Sequence, residues 1–397
     1  MRVNLHDFTG HPFQVQLARA LAARGHDVLH LYAGQYVTGR GRLDVTSDDP
    51  ESLRIEPLTA ARPMQKYSPV GRVRFELAYA AAWRDRLARE PFDVVITANA
   101  PLFVLSRMRR YLGRGSWVLW HQDVTSLAVA AEAARKLPRP AAAAIARTAQ
   151  RLERAHVRDA DAVVAIGEQF LAQYRRWGLG TEHVRVVPNW APLEDITPGE
   201  RENGWAKRHQ LPPDGLRLLY AGTLGRKHNP LLLLDILDQV RANGIDANLV
   251  VCSEGEGADD LASAAADRPA VRILGFQPAA DLSDVLASAD VVLALLEKDA
   301  AMFSVPSKVL SYLAAGRPIA GLMPADNPAA ADIAASGGYT AGPDPDGAKA
   351  AADWIAATAR AGRLGAIGAA SRALAEDRFG IDGITDRFEA VLRAVAE

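Results

Sequence analysis

The sequence contains a single cysteine, Cys252, among 397 residues, so it cannot form an internal disulfide. Such cysteine usage is typical of a reducing compartment. The chain has no run of about 18 apolar residues, the length that a membrane-spanning helix needs. The first six residues have the pattern of a strand and lack the apolar core of a signal peptide. These absences predict a soluble, cytoplasmic protein.

Two nucleotide-binding signatures are also missing. No Gly-x-Gly-x-x-Gly follows the first predicted strand, which counts against a nicotinamide enzyme, and no Walker loop is present. The short Gly255-Glu256-Gly257 segment is not a dinucleotide fingerprint. Without a recognisable nucleic-acid module, the sequence also argues against nucleic acid as a partner.

Charge is balanced overall but unevenly distributed. The formal net charge is −1, yet residues 1–190 carry a net +9 and residues 191–397 a net −10. The excess of basic residues is concentrated in two segments, 62–89 and 135–158. Basic amphipathic segments can rest on an anionic membrane surface, although solvated helix faces are the commoner case. Both interpretations stay open at this point.

The length and the 49% hydrophobic content suit two well-packed domains. In both halves, short apolar segments alternate with segments of helical periodicity, which is typical of a parallel sheet covered on both faces. The pattern breaks at 188–193 and a polar stretch follows. We therefore predict one domain over 1–192 and a second over 193–376.

The predicted strands of the first domain are 3–5, 27–32, 93–97, 117–120, 162–166 and 184–187, and those of the second are 216–221, 247–252, 271–274, 291–295 and 319–322. The clearest predicted helices are 14–24, 230–243, 259–267, 282–288, 307–315 and 384–395. Ligands of such sheets bind at the carboxyl ends of the strands.

The segment 306–318, PSKVLSYLAAGRP, predicts a short helix with both ends marked. Ser307 can cap its start, Gly316 suits a left-handed stop, and Pro318 prevents continuation. Lys308 in the first turn opposes the helix dipole, and a phosphate bound at the helix start would remove that conflict. A solvated lysine on an ordinary helix is the alternative.

The segment 220–230, YAGTLGRKHNP, places two glycines and two cations between a strand and a helix. Glycines let the backbone approach a phosphate, and Arg226 and Lys227 can balance its charge. A plain loop with solvated cations is the alternative, but the coincidence at a strand's carboxyl end favours an anion site. Lys227 and Lys308 together suit one diphosphate.

Other strand ends carry residues suited to binding. Glu254 and Phe276 follow neighbouring strands of the second domain, where a base could stack on the Phe276 ring, unless both lie in plain turns. His121 and Asp123 follow an apolar strand and could bond sugar hydroxyls or handle a proton, although a structural histidine is a serious alternative for His121.

The loop after the first strand contains His6, Asp7, Gly10 and His11, and a lone His-x-x-x-x-His has no strong metal signature. The sequence therefore gives no reason to predict a metal ion there. The acidic pair at Asp344-Pro345-Asp346 lies in a Pro/Gly-containing segment, and we interpret it as a turn.

With these residues in view, the sequence resembles the retaining glycosyltransferases of family 4, which have the GT-B fold, over nearly its whole length. It is similar to bacterial surface-polysaccharide enzymes of the colanic-acid and N-acetylfucosamine-transferase type. The segments that carry the resemblance are 17–28, 187–190, 220–227, 276–291, 306–318 and 327–330. The resemblance implies an α/β fold with two doubly wound Rossmann-like domains facing across a cleft, with a C-terminal helix in 377–397 that returns to the first.

The implied activity is retaining, metal-independent transfer of a sugar from a nucleotide-diphosphate sugar. The resemblance implies a UDP-sugar as this donor and implies no cofactor. The second domain would bind the donor through Gly222, Thr223, Arg226, Lys227, Glu254, Phe276, Ser307, Lys308, Ser311 and Asn327. The first would bind the acceptor along the loop of His6, Asp7, Gly10 and His11, and His121, Asp123 and Lys227 would take part in catalysis.

Two positions depart from the family. Many relatives have a glutamate, which binds the ribose hydroxyls, where Ser311 stands, and an arginine where Thr223 stands. The implied acceptor is a lipid-linked or saccharide intermediate of cell-surface polysaccharide synthesis at the inner face of the cell membrane. Two alternatives stay open: a nucleotide-sugar epimerase of the same fold, which would need a set of carboxylates in the cleft, and a non-catalytic nucleotide-sugar-binding subunit.

Overall fold

The computed structural model describes residues 1–36, 41–62, 69–112, 115–224, 229–296 and 307–397. The chain divides into two compact units, Met1–Asn189 with Ile381–Glu397, and Trp190–Gly380. Each unit is an α/β structure built on one parallel sheet. Among the described helices, none has both the length and the apolar composition needed to cross a bilayer.

The first unit contains a seven-stranded sheet with the order β3-β2-β1-β4-β5-β6-β7. Its strands are β1 (Arg2–Asp7), β2 (Asp27–Ala33), β3 (Leu53–Leu58), β4 (Val94–Ala98), β5 (Ser116–His121), β6 (Ala162–Ala165) and β7 (Val184–Val186). Its helices are α1 (Pro12–Ala23), α2 (Pro69–Leu87), α3 (Leu102–Leu112), α4 (Thr125–Lys136), α5 (Arg139–Asp159), α6 (Gln169–Arg176) and α15 (Ile381–Ala396).

The second unit contains a six-stranded sheet with the order β10-β9-β8-β11-β12-β13. Its strands are β8 (Leu216–Ala221), β9 (Ala247–Cys252), β10 (Val271–Leu274), β11 (Val291–Leu295), β12 (Ile319–Leu322) and β13 (Tyr339–Ala341). Its helices are α7 (Gly204–Arg208), α8 (Leu232–Ala242), α9 (Glu256–Ala264), α10 (Leu282–Ala287), α11 (Ser307–Ala314), α12 (Pro328–Ala335), α13 (Pro345–Arg360) and α14 (Leu364–Phe379).

Both sheets reverse their strand order once. The reversal lies between β1 and β4 in the first unit and between β8 and β11 in the second. The central strands β4 and β11 are buried at every residue, as expected for strands covered by helices on both faces. Crevices that bind ligands form where the order reverses, outside the carboxyl ends of the strands.

The C-terminal helix α15 packs on the first unit. Glu389 accepts a hydrogen bond from His26 at 2.7 Å, and Asp386 pairs with Arg24 at 2.6 Å. Phe388 is fully buried and meets the Trp120 ring edge to face, with centroids 4.8 Å apart. Polar and apolar contacts together therefore hold the end of the chain against α1 and β5.

Three differences between the structure and the sequence predictions concern β3, β13 and the start of α13. Strand β3 was not predicted, because Glu56 and Pro57 interrupt its apolar pattern; Pro57 is tolerated because β3 is an edge strand. Strand β13 was not predicted because it has only three residues. The predicted turn at Asp344 is wrong, since its Oδ1 accepts a hydrogen bond from the Gly347 amide at 2.9 Å and caps α13.

Candidate functional site

A cavity of about 510 Å³ lies at the carboxyl ends of β8, β9 and β11 in the second unit. Helix α11 forms one wall, and the segment 221–223 after β8 forms another. Six of the predicted donor-binding residues line it together: Gly222, Thr223, Phe276, Ser307, Lys308 and Ser311. The structure thus brings parts of the two segments singled out in the sequence, 220–230 and 306–318, to one place.

Lys308 lies in the first turn of α11 and is partly buried. Its Nζ donates a hydrogen bond to Tyr220 Oη at 2.5 Å and lies 4.2 Å from the centre of the Tyr220 ring. Burial lowers the pKa of Lys308 to about 8, because a charged ammonium group loses water there. An anion bound in the cavity would restore the stabilisation that the lost water provided.

Tyr312 fixes α11 to the end of β8. Its hydroxyl donates to the Ala221 carbonyl at 2.8 Å and accepts from the Ala221 amide at 3.1 Å. The next residue, Gly222, has φ of +133°, and a Cβ there would lie 3.1 Å from Lys308 Nζ. A glycine at this position therefore leaves room for the lysine and permits a backbone that other residues adopt only with strain.

The loops after β8, β9 and β10 are tied to one another. Ser253 Oγ accepts from the Leu224 amide at 3.0 Å, and Glu254 Oε1 accepts from the Phe276 amide at 3.3 Å. Phe276 keeps half of its surface exposed at the rim of the cavity. A large apolar ring held at the rim in this way offers a surface on which a base could stack.

Four of the predicted donor-binding residues are not part of this lining: two lie elsewhere in the second unit, and two are outside the described residues. Glu254 holds the Phe276 backbone from outside the lining, and Asn327 is buried, with its Oδ1 accepting from the Ala329 amide at 2.9 Å to cap α12. Arg226 and Lys227 lie outside the described residues.

A second cavity, of about 340 Å³, lies at the carboxyl ends of β4 and β5 in the first unit. The predicted residues His11, His121 and Asp123 line it together. His6, Asp7 and Gly10 are not part of this lining. His6 is fully buried, stacks on Trp83 with centroids 3.6 Å apart and bonds Tyr79 Oη through Nε2 at 2.8 Å.

Asp7 organises the loop after β1. Its carboxylate accepts hydrogen bonds from the Thr9 amide at 3.0 Å, the Thr9 hydroxyl at 2.8 Å and the His11 amide at 2.5 Å. Burial nevertheless raises the pKa of Asp7, because desolvation disfavours the charged form more than these bonds favour it. Gly10 completes the loop in the left-handed region, with φ of +71°.

His121 is bonded at both ring nitrogens. Nδ1 lies 2.7 Å from Tyr174 Oη, and Nε2 lies 3.2 Å from Glu153 Oε1. Burial opposes ionisation of Glu153, but hydrogen bonds from His121 and Ser126 hold its pKa below the ordinary value, whereas burial raises the pKa of Tyr174. The Glu153 carboxylate accepts a hydrogen bond from His121 Nε2–H, and Nδ1 shares a second hydrogen bond with the Tyr174 hydroxyl.

Several residues that line this cavity were not predicted from the sequence as site residues: Thr97, Asn99, Glu153 and His156. Glu153 and His156 lie on the buried stripe of α5 with Ala142 and Ala149, at helical spacing, and that placement of polar groups was an available signal. Asn99, with φ of +52°, has a strained backbone that no sequence pattern indicates.

Comparison with family models gives two matches. Residues 11–190 match the model described as a glycosyl transferase 4-like domain, and residues 215–357 match the model of the glycosyl transferases group 1. A search of curated protein sequences gave no significant match.

Solved structures of similar fold cover nearly the whole chain. Sucrose-phosphate synthase from Thermosynechococcus elongatus superimposes with a TM-score of 0.75 at 17% identity, over 99% of this chain and 98% of that one. HepE from Anabaena in complex with UDP-glucose gives 0.69 at 15% identity, over 99% and 100%. WaaG, a glycosyltransferase of lipopolysaccharide biosynthesis, gives 0.68 at 17% identity, over 98% and 99%.

At these identities the structural likeness establishes the fold, which is GT-B, as predicted. The colanic-acid and N-acetylfucosamine-transferase subtype stays a prediction. By its two family matches, the chain contains a region similar to the glycosyl transferase 4-like domains, residues 11–190, followed by one similar to the glycosyl transferases group 1, residues 215–357.

Proposed function

We propose that the protein is a retaining glycosyltransferase that moves a sugar from a UDP-sugar to a hydroxyl acceptor. The observation that carries the proposal is Lys308, a partly buried cation at the start of α11, in a cavity at the strand-order reversal of the second sheet. A helix N-terminus attracts anions, and a lysine beside it adds a full charge. A diphosphate is the anionic part of a nucleotide sugar.

The dimensions and lining of the cavity agree with that donor. It is about 510 Å³, in the range of small-ligand sites, and combines the Lys308 end with the apolar side chains Leu282, Val285 and Leu286 and the exposed Phe276 ring. HepE, of the same fold, binds UDP-glucose. We infer that the base lies toward Phe276 and the diphosphate toward Lys308, with Arg226 and Lys227 supplying further positive charge.

The proposed reaction breaks the bond between the sugar's anomeric carbon and the diphosphate oxygen. The acceptor oxygen forms its bond to that carbon on the same face, and the acceptor proton passes to the departing phosphate. Negative charge grows on the leaving diphosphate, so fixed cations and helix amides stabilise the transition state more than the bound donor. These protein groups supply the charge that a metal ion supplies in other transferases, and we therefore propose a metal-independent reaction.

For the acceptor we propose a lipid-linked or saccharide intermediate of cell-surface polysaccharide synthesis. The cavity of the first unit supports this choice. Asn99, Gln122, Thr125 and Asp123 line it with amide, hydroxyl and carboxylate groups, the hydrogen-bonding partners that sugar hydroxyls need.

A thermal-shift screen of nucleotide sugars tests the donor, followed by incubation of the stabilising donor with saccharide acceptors and NMR of the product. We expect a UDP-sugar to raise the melting temperature and the product to keep the anomeric configuration of the donor. Inversion of configuration would overturn the retaining mechanism. A changed sugar without acceptor would indicate an epimerase, and binding without turnover of any donor would indicate a binding subunit.

A further inference from the structure

The tip of the α4–α5 hairpin is the longest fully exposed part of the two helices. All eight residues of 134–141, ARKLPRPA, are exposed, between the buried Ala133 of α4 and the buried Ala142 of α5. Three of these residues are cations and none is acidic. Leu137 is 40% exposed, and Ile145, one turn further along α5, is 41% exposed. Basic and apolar groups are therefore both exposed at this end of the hairpin.

The other basic segment of this unit differs in its charge balance. On α2, Arg72 pairs with Glu76 at 3.0 Å and Arg84 with Asp85 at 2.7 Å, and Arg86 donates to Glu56 at 2.7 Å. Just before the hairpin tip, the single carboxylate of Glu132 forms ion pairs with both Arg135 and Lys136. Arg139 has no acidic partner among the described residues. On α2, Arg74 likewise has no acidic partner among the described residues, but the eight residues of the tip contain three cations and no acid, so positive charge is denser there than on α2.

The tip also extends beyond the edge of the sheet that carries the cavity. Helix α5 ends at Asp159, just before β6 begins, so its first residues point toward the carboxyl edge of the sheet. Its 21 residues span about 31 Å, whereas the six residues of β5 span about 20 Å. The same helix carries Glu153 in the cavity, about 21 Å along its axis from Arg139.

We propose that the α4–α5 tip, residues 134–147, docks on an anionic lipid surface. The cations pair with lipid headgroup phosphates, and Leu137 and Ile145 enter the interface beside them, a combination typical of interfacial binding. The negative charge of the lipid headgroups complements the positive charge of the tip, which favours an anionic lipid surface over a neutral or basic partner. If the proposed lipid-linked acceptor is correct, docking would hold the first unit's cavity about 20 Å from the membrane surface.

Flotation of the 397-residue chain with vesicles tests the proposal, using vesicles of phosphatidylcholine alone and vesicles of phosphatidylcholine with about 30% phosphatidylglycerol, an anionic lipid. We expect binding to the anionic vesicles only, and a loss of about 100-fold in the partition coefficient for Arg135→Ser/Lys136→Ser/Arg139→Ser, since each cation near such a surface contributes about tenfold or less. Leu137→Ser should weaken binding by a smaller factor.

A matched control removes three exposed cations elsewhere in the same unit, Arg107→Ser/Arg110→Ser/Arg175→Ser, and should retain binding. Equal loss in the control and tip variants, or no binding of the wild type, would overturn the proposal. The proposal would also be overturned if the wild-type protein sedimented as a dimer, the tip variant sedimented as a monomer, and neither bound vesicles. Donor binding in solution should be unchanged in the tip variant, so failure here is distinguishable from failure of the proposed function.

Discussion

Lys308 rests its ammonium group on Tyr220, with Nζ 2.5 Å from the phenolic oxygen and 4.2 Å from the ring centre. Burial raises the pKa of the phenol, so Tyr220 keeps its proton, which it donates to the Thr223 carbonyl at 3.0 Å. A neutral hydroxyl and a ring face stabilise a cation less than a carboxylate would. Lys308 is thus held in place without being neutralised by Tyr220, and it remains able to bind an anion.

Replacing Lys308 tests that role. We expect Lys308→Ala to weaken binding of the UDP-sugar by 10- to 100-fold, because a charge-assisted hydrogen bond contributes about 1.5–3 kcal/mol. Isothermal titration calorimetry measures the effect. The control is Lys349→Ala on α13, which removes an exposed lysine paired with Asp353 in the same unit and should change affinity less than twofold. Similar affinities for both variants would contradict the assignment.

The depressed pKa of Lys308, about 8, predicts a pH dependence of donor binding. Below pH 8 the lysine is charged and binds the diphosphate. As the pH rises above 8 it loses its proton, and affinity should fall by up to about tenfold per pH unit. Lys308→Arg keeps its charge at every pH and should show a flatter profile between pH 7 and 9.5. Parallel profiles for the two proteins would contradict the prediction.

The Tyr174–His121–Glu153 chain predicts the effect of altering its acid. In the wild-type protein, the Ser126 amide donates to Glu153 Oε2 at 3.0 Å. In Glu153→Gln, one polar atom of the side-chain amide must face this Ser126 N–H while the other faces His121. At least one buried hydrogen bond is weakened, so we expect a loss of about 1–3 kcal/mol in the free energy of unfolding. Urea denaturation measures it, with exposed Glu132→Gln as the control. Equal stability of the two variants would show that the chain of bonds contributes nothing.

His30 predicts loss of stability in acid. Its ring is buried on β2, and neither nitrogen has a hydrogen-bond partner among the described residues. Burial lowers the pKa of His30 to about 3, against about 6.5 in the unfolded chain. Between these values the unfolded state binds more protons, so stability falls as pH falls, by about 2 kcal/mol from pH 7 to 5. His30→Leu should reduce that loss by the same amount; an unchanged pH dependence in denaturation would refute this.

Much of the second unit could be predicted because its strands are short and mostly apolar, interrupted only by single polar residues such as Arg217, Asn248 and Arg272. The predicted strands 216–221, 247–252, 271–274, 291–295 and 319–322 agree with the structure to the residue. Helix α11 begins at Ser307 rather than after it, so Ser307 is inside the helix and is not its cap. Gly316, with φ of +64°, ends the turn in the left-handed region, as predicted.

The first unit's cavity was less predictable because its contacts join distant parts of the chain. His121 meets Tyr174 and Glu153 at separations of 53 and 32 residues, which no local pattern reveals. Position at a strand end placed His121 correctly in the cavity, but whether it acts on a proton, on a sugar hydroxyl or only through packing stays a prediction. The roles of Asp123 and Lys227 in catalysis, and of Ser311 in donor binding, likewise stay predictions.

A structure of the protein with UDP bound tests the central claim most directly. We expect the diphosphate in the cavity at the start of α11, with an oxygen within hydrogen-bond distance of Lys308 Nζ and the base beside Phe276. Nucleotide bound elsewhere, or bound in this cavity while Lys308 makes no contact with the phosphates, would contradict it.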